Sequence, residues 1–553
     1  MGNAIASAYT TEIRTCFSFS LALLVAGCGA IPDRPAAERP RLVVFFVVDG
    51  LPQRQVVDYR EQLARDGFRR FLDRGAWFSQ AHYGHAHTVT AAGHATMLTG
   101  AYPHRTGIIG NEWRDPATGQ WLYNTADASA KYLGHEKSSW TGTSPRNLRV
   151  ETVGDVLRTL DARSKVVSIS AKDRGAILTG GHKGVAYVYQ LQTGLMASTT
   201  YYMAEHPAWV TAFNATQPAN AYFHKAWAPL LAEKDYAPSL PDEQKWFARG
   251  GKLPKRLGDA LEQPGPLFYA ELAVVPQGDQ LLLDFARAAI IGEGLGQDDA
   301  PDILAISLST HDNVNHGYGA ESRISHDHLL HLDRSLERFF RDLDAAIGSD
   351  RYVAVLTSDH GFMATPEYLQ MQGREGGRVS TPRLIAALNT ALAARFGEGR
   401  WALGTSAQAV LLNRALIEER KADAAELARE TRRFLLEQPF VAAAYTRAEI
   451  ESASAAGAPY FEEVRRGWHP GRSADVQIVL KPNWMFGAAG ATHGSPHDYD
   501  TRVPLLFYGP RWVTPARHDA RVEIVDIAPT LARILQIPAP SSSEGKPLPV
   551  TVP

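Results

Sequence analysis

RLVVFFVVDG, residues 41–50, decides how this chain folds. Arg41 to Val48 is a continuous apolar run rather than an alternating one, and it ends on Asp49-Gly50. Such a run reads as a strand buried on both faces, the kind found in parallel sheets. Ligands of open α/β sheets gather at the carboxyl ends of those strands. The same pattern recurs three times. Lys165 to Ser170 (KVVSIS) ends in Ala171-Lys172-Asp173-Arg174. Asp302 to Ser309 (DILAISLS) ends in Thr310-His311-Asp312, and Tyr352 to Leu356 (YVAVL) in Thr357-Ser358-Asp359-His360-Gly361. Four apolar strands that each end in charged or metal-binding side chains point to one shared site.

Helical spacing fills the gaps between these strands, over Gly154 to Leu160, Gln280 to Ile291 and Ser325 to Ile347. In the last, Leu329, Leu332, Leu336, Phe339 and Leu343 share a face. Alternating strands and helices predict an α/β fold with a mostly parallel central sheet and helices on both faces. Two regions depart from the alternation. Residues 181–276 are rich in Trp, Tyr and Pro and read as an insertion that walls a pocket. Residues 383–481 read as a smaller α+β cap, possessing a helix at Leu384 to Phe396, an apolar stretch at Ala407 to Leu412, a helix at Ala422 to Gln438, and strands at Val441 to Tyr445 and Asp475 to Leu480. The body resumes with Thr492-His493-Gly494-Ser495, a strand at Val503 to Tyr508 and a last helix from Val525 to Leu535.

Composition bounds the function. With 57 basic against 59 acidic residues, the chain lacks the basic excess of a nucleic-acid binder. Its two cysteines, Cys16 and Cys28, fall in the first thirty residues, so the folded body holds no disulfide. Phe17 to Ala26 is an apolar run too short for a membrane span and fits a signal peptide. The sequence Val25-Ala26-Gly27-Cys28 resembles a bacterial lipobox. That resemblance implies a signal at 1–27, lipidation of Cys28, a Pro-rich tether at 28–40, and a periplasmic protein anchored to the outer membrane; the alternative is an ordinary cleaved signal and a secreted protein.

A second stretch supplies a nucleophile. In Thr88-Val89-Thr90-Ala91-Ala92-Gly93-His94, a hydroxyl precedes small residues suited to a helix start, where free N–H groups favour anions. A cap is the plain alternative for Thr90. Asn111 closes the region with an amide. Asp49, Asp312, His316, Asp359, His360 and His493 together make three carboxylates and three imidazoles, a set that suits zinc better than calcium or magnesium. Asp312 and His316 stand one helical turn apart.

These segments resemble the alkaline phosphatase superfamily from Arg41 to the C-terminus, and within it the threonine-nucleophile, phosphate-irrepressible alkaline phosphatases. The matching motifs are VVDG at 47–50, TVTAAGH at 88–94, GIIGN at 107–111, SAKDRGAIL at 170–178, Asp312 with His316, TSDHG at 357–361 and THGS at 492–495. The resemblance implies two zinc ions, one held by Asp312, His316 and His493, the other by Asp49, Asp359, His360 and the Thr90 oxygen. It implies phosphoryl transfer through a phosphothreonine, with Asn111, Lys172 and Arg174 on the phosphoryl oxygens of small-molecule phosphate esters. Lys172 and Arg174 are expected to alternate along an extended segment and so to face one side. A phosphodiesterase or nucleotide pyrophosphatase shares the zinc ligands and the threonine but generally lacks the Lys-x-Arg pair. A sulfatase would need Cys or Ser followed by x-Pro-x-Arg, which Thr90 does not provide. A non-catalytic surface lipoprotein would be expected to have lost ligands. His82, His85, His87, His104, His326, His328 and His331 match no ligand position; the trio at 326–331 reads as a polar helix face and His94 as structural.

Overall fold

Side chains of the Leu42–Val48 strand alternate strictly between two cores. Leu42, Val44, Phe46 and Val48 pack on one face of the sheet with Leu329, Leu336, Phe339 and Phe340. Val43, Phe45 and Val47 pack on the other with Met97, Leu98, Ile527 and Leu531. This is why the run is apolar without alternation: the period-two geometry persists, but both faces are covered. Phe46 meets Phe339 and Phe340 edge-on, each at 5.5 Å between ring centres. Truncating such a buried ring to Ala costs roughly 3–5 kcal/mol.

The computed structural model describes residues 38–116, 118–135 and 142–550. The leader, the tether and Cys28 therefore lie outside the described residues. From Arg39 onward the chain forms one unit. Its central sheet runs in the order Ala516–His518, Ala76–His82, Arg502–Tyr508, Tyr352–Thr357, Leu42–Val48, Asp302–Leu308, Val166–Ser170, Val185–Gln190, Leu195–Ala197. The four strands read from sequence are adjacent and parallel. Val47 pairs with both Ser307 and Thr357, so their carboxyl ends finish level. Arg502–Tyr508 joins antiparallel to its neighbours on both sides.

The long helix, Arg323–Ile347, begins at Ser322, whose side chain accepts from the Ser325 amide, and buries the predicted leucine and phenylalanine face. Two of its three histidines do not form a polar surface; only His331 is partly exposed. His326 and His328 are fully buried, His326 stacked 3.5 Å from Tyr59 and His328 beside Asp279 and His311. Residues of the 181–276 region cover this side of the helix: Ser239 bonds His326 and Trp227 donates to Asp327.

Five members of this sheet lie outside the strands read from sequence, Ala516–His518 and Val522–Glu523 among them. Ala76–His82 contains Ser, Gln and His, which disguise a buried strand. Val185–Gln190 pairs in parallel with Val166–Ser170, so the start of the 181–276 region belongs to the central sheet. Leu195–Ala197 adds antiparallel to it.

Between 381 and 486 the chain builds a separate four-stranded antiparallel sheet, ordered Ala402–Ser406, Ala409–Leu412, Val476–Leu480, Val441–Thr446. It has its own core around Leu388, Trp401, Leu427 and Leu435. The helix expected at 422–438 is Ala424–Leu436, started by Asp423 accepting from Ala425 and Glu426 amides. A shorter helix, Arg414–Arg420, precedes it. No helix among the described residues is long and apolar enough to cross a membrane.

Candidate active site and metal centre

The level carboxyl ends of the four parallel strands put their next residues in one place. Asp49 follows Leu42–Val48, Asp312 lies in the Thr310–Tyr318 helix just after Asp302–Leu308, and Asp359 and His360 follow Tyr352–Thr357. Gly50 makes the packing possible. It has φ of 68°, and a Cβ there would meet Asp312 Oδ1 at 2.9 Å.

Two groups of side chains could each hold a metal ion: Asp49, Asp359 and His360, and Asp312, His360 and His493. Within each group the ligand atoms lie within 4.8 Å of one another. His360 stands between them, its Nε2 at 3.6 Å from Asp49, 3.5 Å from Asp359 and 3.9 Å from Asp312. His316 joins the second group through Asp312, with Nε2 at 3.4 Å. All six expected ligands are thus brought together, with His360 nearer to both groups than the two-set division implies.

Protonation is fixed by the outer partners. The Nδ1–H of His360 donates to the Gly361 carbonyl, that of His316 to Ala491 and that of His493 to Thr88, at 2.9, 2.9 and 2.8 Å. A carbonyl only accepts, so each Nδ1 keeps its proton and Nε2 is the ring atom left to face a metal. Asp49 Oδ1, Asp312 Oδ1, Asp359 Oδ2 and His360 Nε2 are buried and make no hydrogen bond. Four orphaned acceptors facing one another are costly unless a cation satisfies them. Burial pushes Asp49 well above the ordinary carboxyl range, with the Asp359 charge adding to it. Burial also raises Asp312, but His316 and Lys172 outweigh it and hold that carboxyl well below its usual value. Burial and the neighbouring His360 keep His493 far below the usual imidazole value, hence neutral.

Thr90 is the first residue of the Thr90–Thr99 helix, and Val89 is its cap. The plain reading of Thr90 as a cap therefore fails: its hydroxyl makes no hydrogen bond among the described residues and stands at the positive helix end. The helix comes this close to the metal ligands because of Gly93, where a Cβ would lie 2.2 Å from the Asp359 carbonyl. Asn111 Oδ1 accepts the Ala91 amide at 2.9 Å, which leaves the Nδ2 donors for the cleft that Asn111 lines.

Lys172 and Arg174 do not lie on an extended segment. Lys172 caps the Asp173–Gly180 helix and Arg174 is its second residue. The Gly175 and Ala176 amides donate to the Lys172 carbonyl at 3.0 and 3.3 Å and turn the chain there, and Asp173 accepts from the Arg174 amide at 2.7 Å. Lys172 Nζ donates to Asp49 at 2.8 Å and also to Asp312. Burial opposes its charge, but Asp312 and Asp49 hold its pKa up. The Arg174 guanidinium donates to the Tyr123 hydroxyl at 3.2 Å, and Tyr123 in turn donates to Asp173.

Other residues complete the site, among them His94, read from the sequence as structural, and His87, which matched no ligand position. His94 Nδ1 lies 2.8 Å from the Thr90 carbonyl and 3.2 Å from Asp359, and Nε2 lies 2.8 Å from Ser307 Oγ, so it links the Thr90–Thr99 helix to Asp359. The signal was present: His94 follows Thr90 by one helical turn. His87, Trp121, Gln408 and Trp484 line the cleft with Asn111, His316 and His493. Their membership depends on loops from two other parts of the chain, which no local pattern reveals.

Comparison with known proteins agrees with this geometry. Residues 43–500 match the family model for type I phosphodiesterase / nucleotide pyrophosphatase. The chain is 36% identical to alkaline phosphatase PhoV of Synechococcus elongatus, over 92% of each chain. It is 33% identical to a Myroides odoratus protein named calcium-transporting ATPase, over 96% of this chain and 97% of that one. The crystal structure of alkaline phosphatase PafA superimposes with a TM-score of 0.86 at 30% identity, covering 94% of this chain and all of that one. A second PafA crystal structure, similar to the same degree, carries substitutions at a threonine, an asparagine, a lysine and an arginine, the last two separated by one residue as Lys172 and Arg174 are. The chain belongs to the type I phosphodiesterase / nucleotide pyrophosphatase family, within the alkaline phosphatase superfamily.

Proposed function

We propose that this chain, a phosphomonoester hydrolase of the alkaline phosphatase type, binds two zinc ions and works through a phosphothreonine at Thr90. The observation that carries the reading is the set of orphaned buried atoms, Asp49 Oδ1, Asp312 Oδ1, Asp359 Oδ2 and His360 Nε2. Mixed oxygen and nitrogen donors of this kind fit zinc. Asp49, Asp359 and His360 would hold one ion, with Thr90 Oγ1 beside it; Asp312, His316 and His493 would hold the other. Zinc bound there supplies Lewis acidity, which favours ionisation of a hydroxyl and offsets charge on oxygen.

Thr90 Oγ1 gives up its proton to solvent water and attacks phosphorus, and the bond from phosphorus to the leaving oxygen breaks. The leaving alcohol departs after taking a proton from water. Water then attacks phosphorus of the phosphothreonine, releasing inorganic phosphate and restoring the hydroxyl. Asn111 donates to a phosphoryl oxygen, its orientation set by the Ala91 amide. Lys172 and Arg174 place positive charge near the same oxygens, and charge-assisted bonds of this type count most where negative charge is greatest. A monoester dianion carries one more charge than a diester, so the pair favours monoesters over the diesters of the phosphodiesterase alternative.

Paired rates on an aryl monoester and the matching diester test this, after chelation and after zinc is restored. Chelation abolishes both activities, zinc restores them, and the monoester is preferred. Full activity in chelator, or a diester preference, overturns the reading.

We also propose that the protein is periplasmic and anchored to the outer membrane by lipid on Cys28, as Val25-Ala26-Gly27-Cys28 suggests. Cys28→Ser is then expected to leave the membrane fraction. A wild type already soluble in the periplasm would refute the anchor.

A further inference from the structure

The cleft does not end at the metal ligands. A cavity of about 360 Å³ extends from Asn111, His316 and His493 to a wall built from two distant parts of the chain. One part is the hairpin of Glu112–Arg114 and Trp121–Tyr123, which contributes Trp121. The other is the region from 381 to 486, which contributes the tip at Ala407 and Gln408 and the Trp484–Phe486 strand. None of these residues belongs to the constellation that carries out phosphoryl transfer.

Trp121 is 49% exposed, an unusual state for an indole that does nothing. It is nevertheless held. The Arg114 guanidinium lies 4.8 Å over its ring, and the Arg114 amide donates to Ser406 Oγ at 2.9 Å, tying the hairpin to the cap. Trp484 is braced by Phe440 at 5.8 Å between ring centres. The tip is fixed as well. Gln408 Nε2 donates to the Gly494 carbonyl at 2.6 Å, next to the ligand His493. Ser406 pairs with Ala409, so Ala407 and Gln408 form a two-residue turn, and both have positive φ, 46° and 56°. Such turns favour Asn-Gly. Ala and Gln are poor choices for the turn alone, and both face the cavity.

We propose that this wall is a leaving-group subsite for a planar aromatic ring, so that preferred substrates are monoesters whose alcohol carries one. The inference rests on the phosphomonoesterase reading above. The volume falls within the range of roughly 300–1,000 Å³ usual for small-molecule pockets. Rigid, partly exposed tryptophans offer flat faces to an aromatic ring, while the mouth at Asn111 and His493 holds the phosphoryl end. An aryl alcohol and a nucleoside share this chemistry.

Benzyl phosphate and ethyl phosphate separate the ring from leaving-group acidity, since both release simple alcohols. AMP and ribose 5-phosphate separate a nucleobase from its sugar. In the zinc-loaded wild type, kcat/KM for benzyl phosphate exceeds that for ethyl phosphate by about tenfold, mostly through KM, as one aromatic contact permits. Trp121→Ala and Trp484→Ala each bring the benzyl-to-ethyl ratio toward one, and Trp121→Phe restores it. Trp121 is exposed, so its variant tests the subsite even if Trp484→Ala fails to fold. If the natural ring is a nucleobase, the AMP preference over ribose 5-phosphate is the larger ratio and falls in the same variants; if it is an aryl group, the benzyl ratio is the larger. A benzyl-to-ethyl ratio near one in the wild type, or one unmoved by both substitutions, overturns the subsite while ethyl phosphate turnover keeps the phosphatase reading. Loss of turnover on all four substrates overturns that reading and the subsite with it.

Discussion

The two sides of the cleft are built on different physical terms. On the body side, Asp49, Asp312, Asp359 and His360 sit at or just after the level ends of paired parallel strands. Their backbones are fixed by ladder hydrogen bonds and by cores on both faces of the sheet. On the cap side, Ala407 and Gln408 close a short hairpin and Trp484 starts a three-residue strand paired, among the described residues, only with Gly377–Val379, and Gln408 ties the tip to Gly494. Chemistry that requires several charged groups within a few ångströms of one another is placed where the scaffold is stiffest. Selection among alcohols needs only a shaped wall, and loops supply it.

The comparison breaks first at Thr90. Thr90→Ala, assayed with zinc on an aryl monoester, is expected to lose at least about 10³-fold in kcat, as removal of a nucleophile does. Mass spectrometry of acid-quenched wild type should find phosphate on Thr90, and retention of activity in the variant would remove the nucleophile from the body side altogether.

Lys172 and Arg174 sharpen the contrast between charge and shape. Changing both to Ala is expected to depress monoester hydrolysis roughly 10²-fold more than diester hydrolysis, the scale of one or two charge-assisted bonds. Equal losses on the two substrates would mean that the pair supports the Asp49 and Asp312 carboxylates and does not recognise charge.

The stiffness of the body has its own test at Asp333, on the long helix far from the metal ligands. Its carboxyl accepts from the Ala64 and Phe68 amides at 2.5 and 2.8 Å. Burial outweighs these bonds and pushes it up to about 6, with Arg334 lowering it and Glu337 raising it. Because the folded value is raised, the proton is bound more tightly in the native state. That contribution is full below the ordinary carboxyl value near 4 and is lost as pH rises through about 6. Urea midpoints are therefore expected to fall over this window by about 2–3 kcal/mol of stability relative to Asp333→Asn, which lacks the titration. Parallel profiles for the two proteins would dismiss the assignment.

The smallest effect belongs to the cap. Ala407→Asn suits the left-handed backbone at φ 46° and leaves the Gln408 tether in place. Amides of the Ala402–Ser406 and Ala409–Leu412 hairpin are expected to open less readily, by about 0.5–1 kcal/mol in hydrogen exchange. No change would mean that the turn is held by its contacts and not limited by its residues.

From the sequence alone the four core strands, the acids and histidines gathered at their ends and the helix that starts at Thr90 could be read, because each is a local pattern: an apolar run with no alternation, an acid or histidine just beyond it, a threonine before small residues. The buried face of the Arg323–Ile347 helix was legible for the same reason. What depends on chain segments far apart could not be read this way. Tertiary packing left Thr90 a free hydroxyl, with Val89 in the cap position, and set Lys172 and Arg174 on a helix start whose Asp173 is held by Tyr123 and Thr125. It placed His94 between Thr90 and Asp359, buried His326 and His328, and hid Ala76–His82 in the central sheet despite its polar residues. It also joined Trp121 to Gln408 and Trp484 around one cavity. Strand and helix periods are set by neighbours along the chain. Which faces are covered, and which loops meet, is set by packing between elements hundreds of residues apart, and no periodicity carries that information.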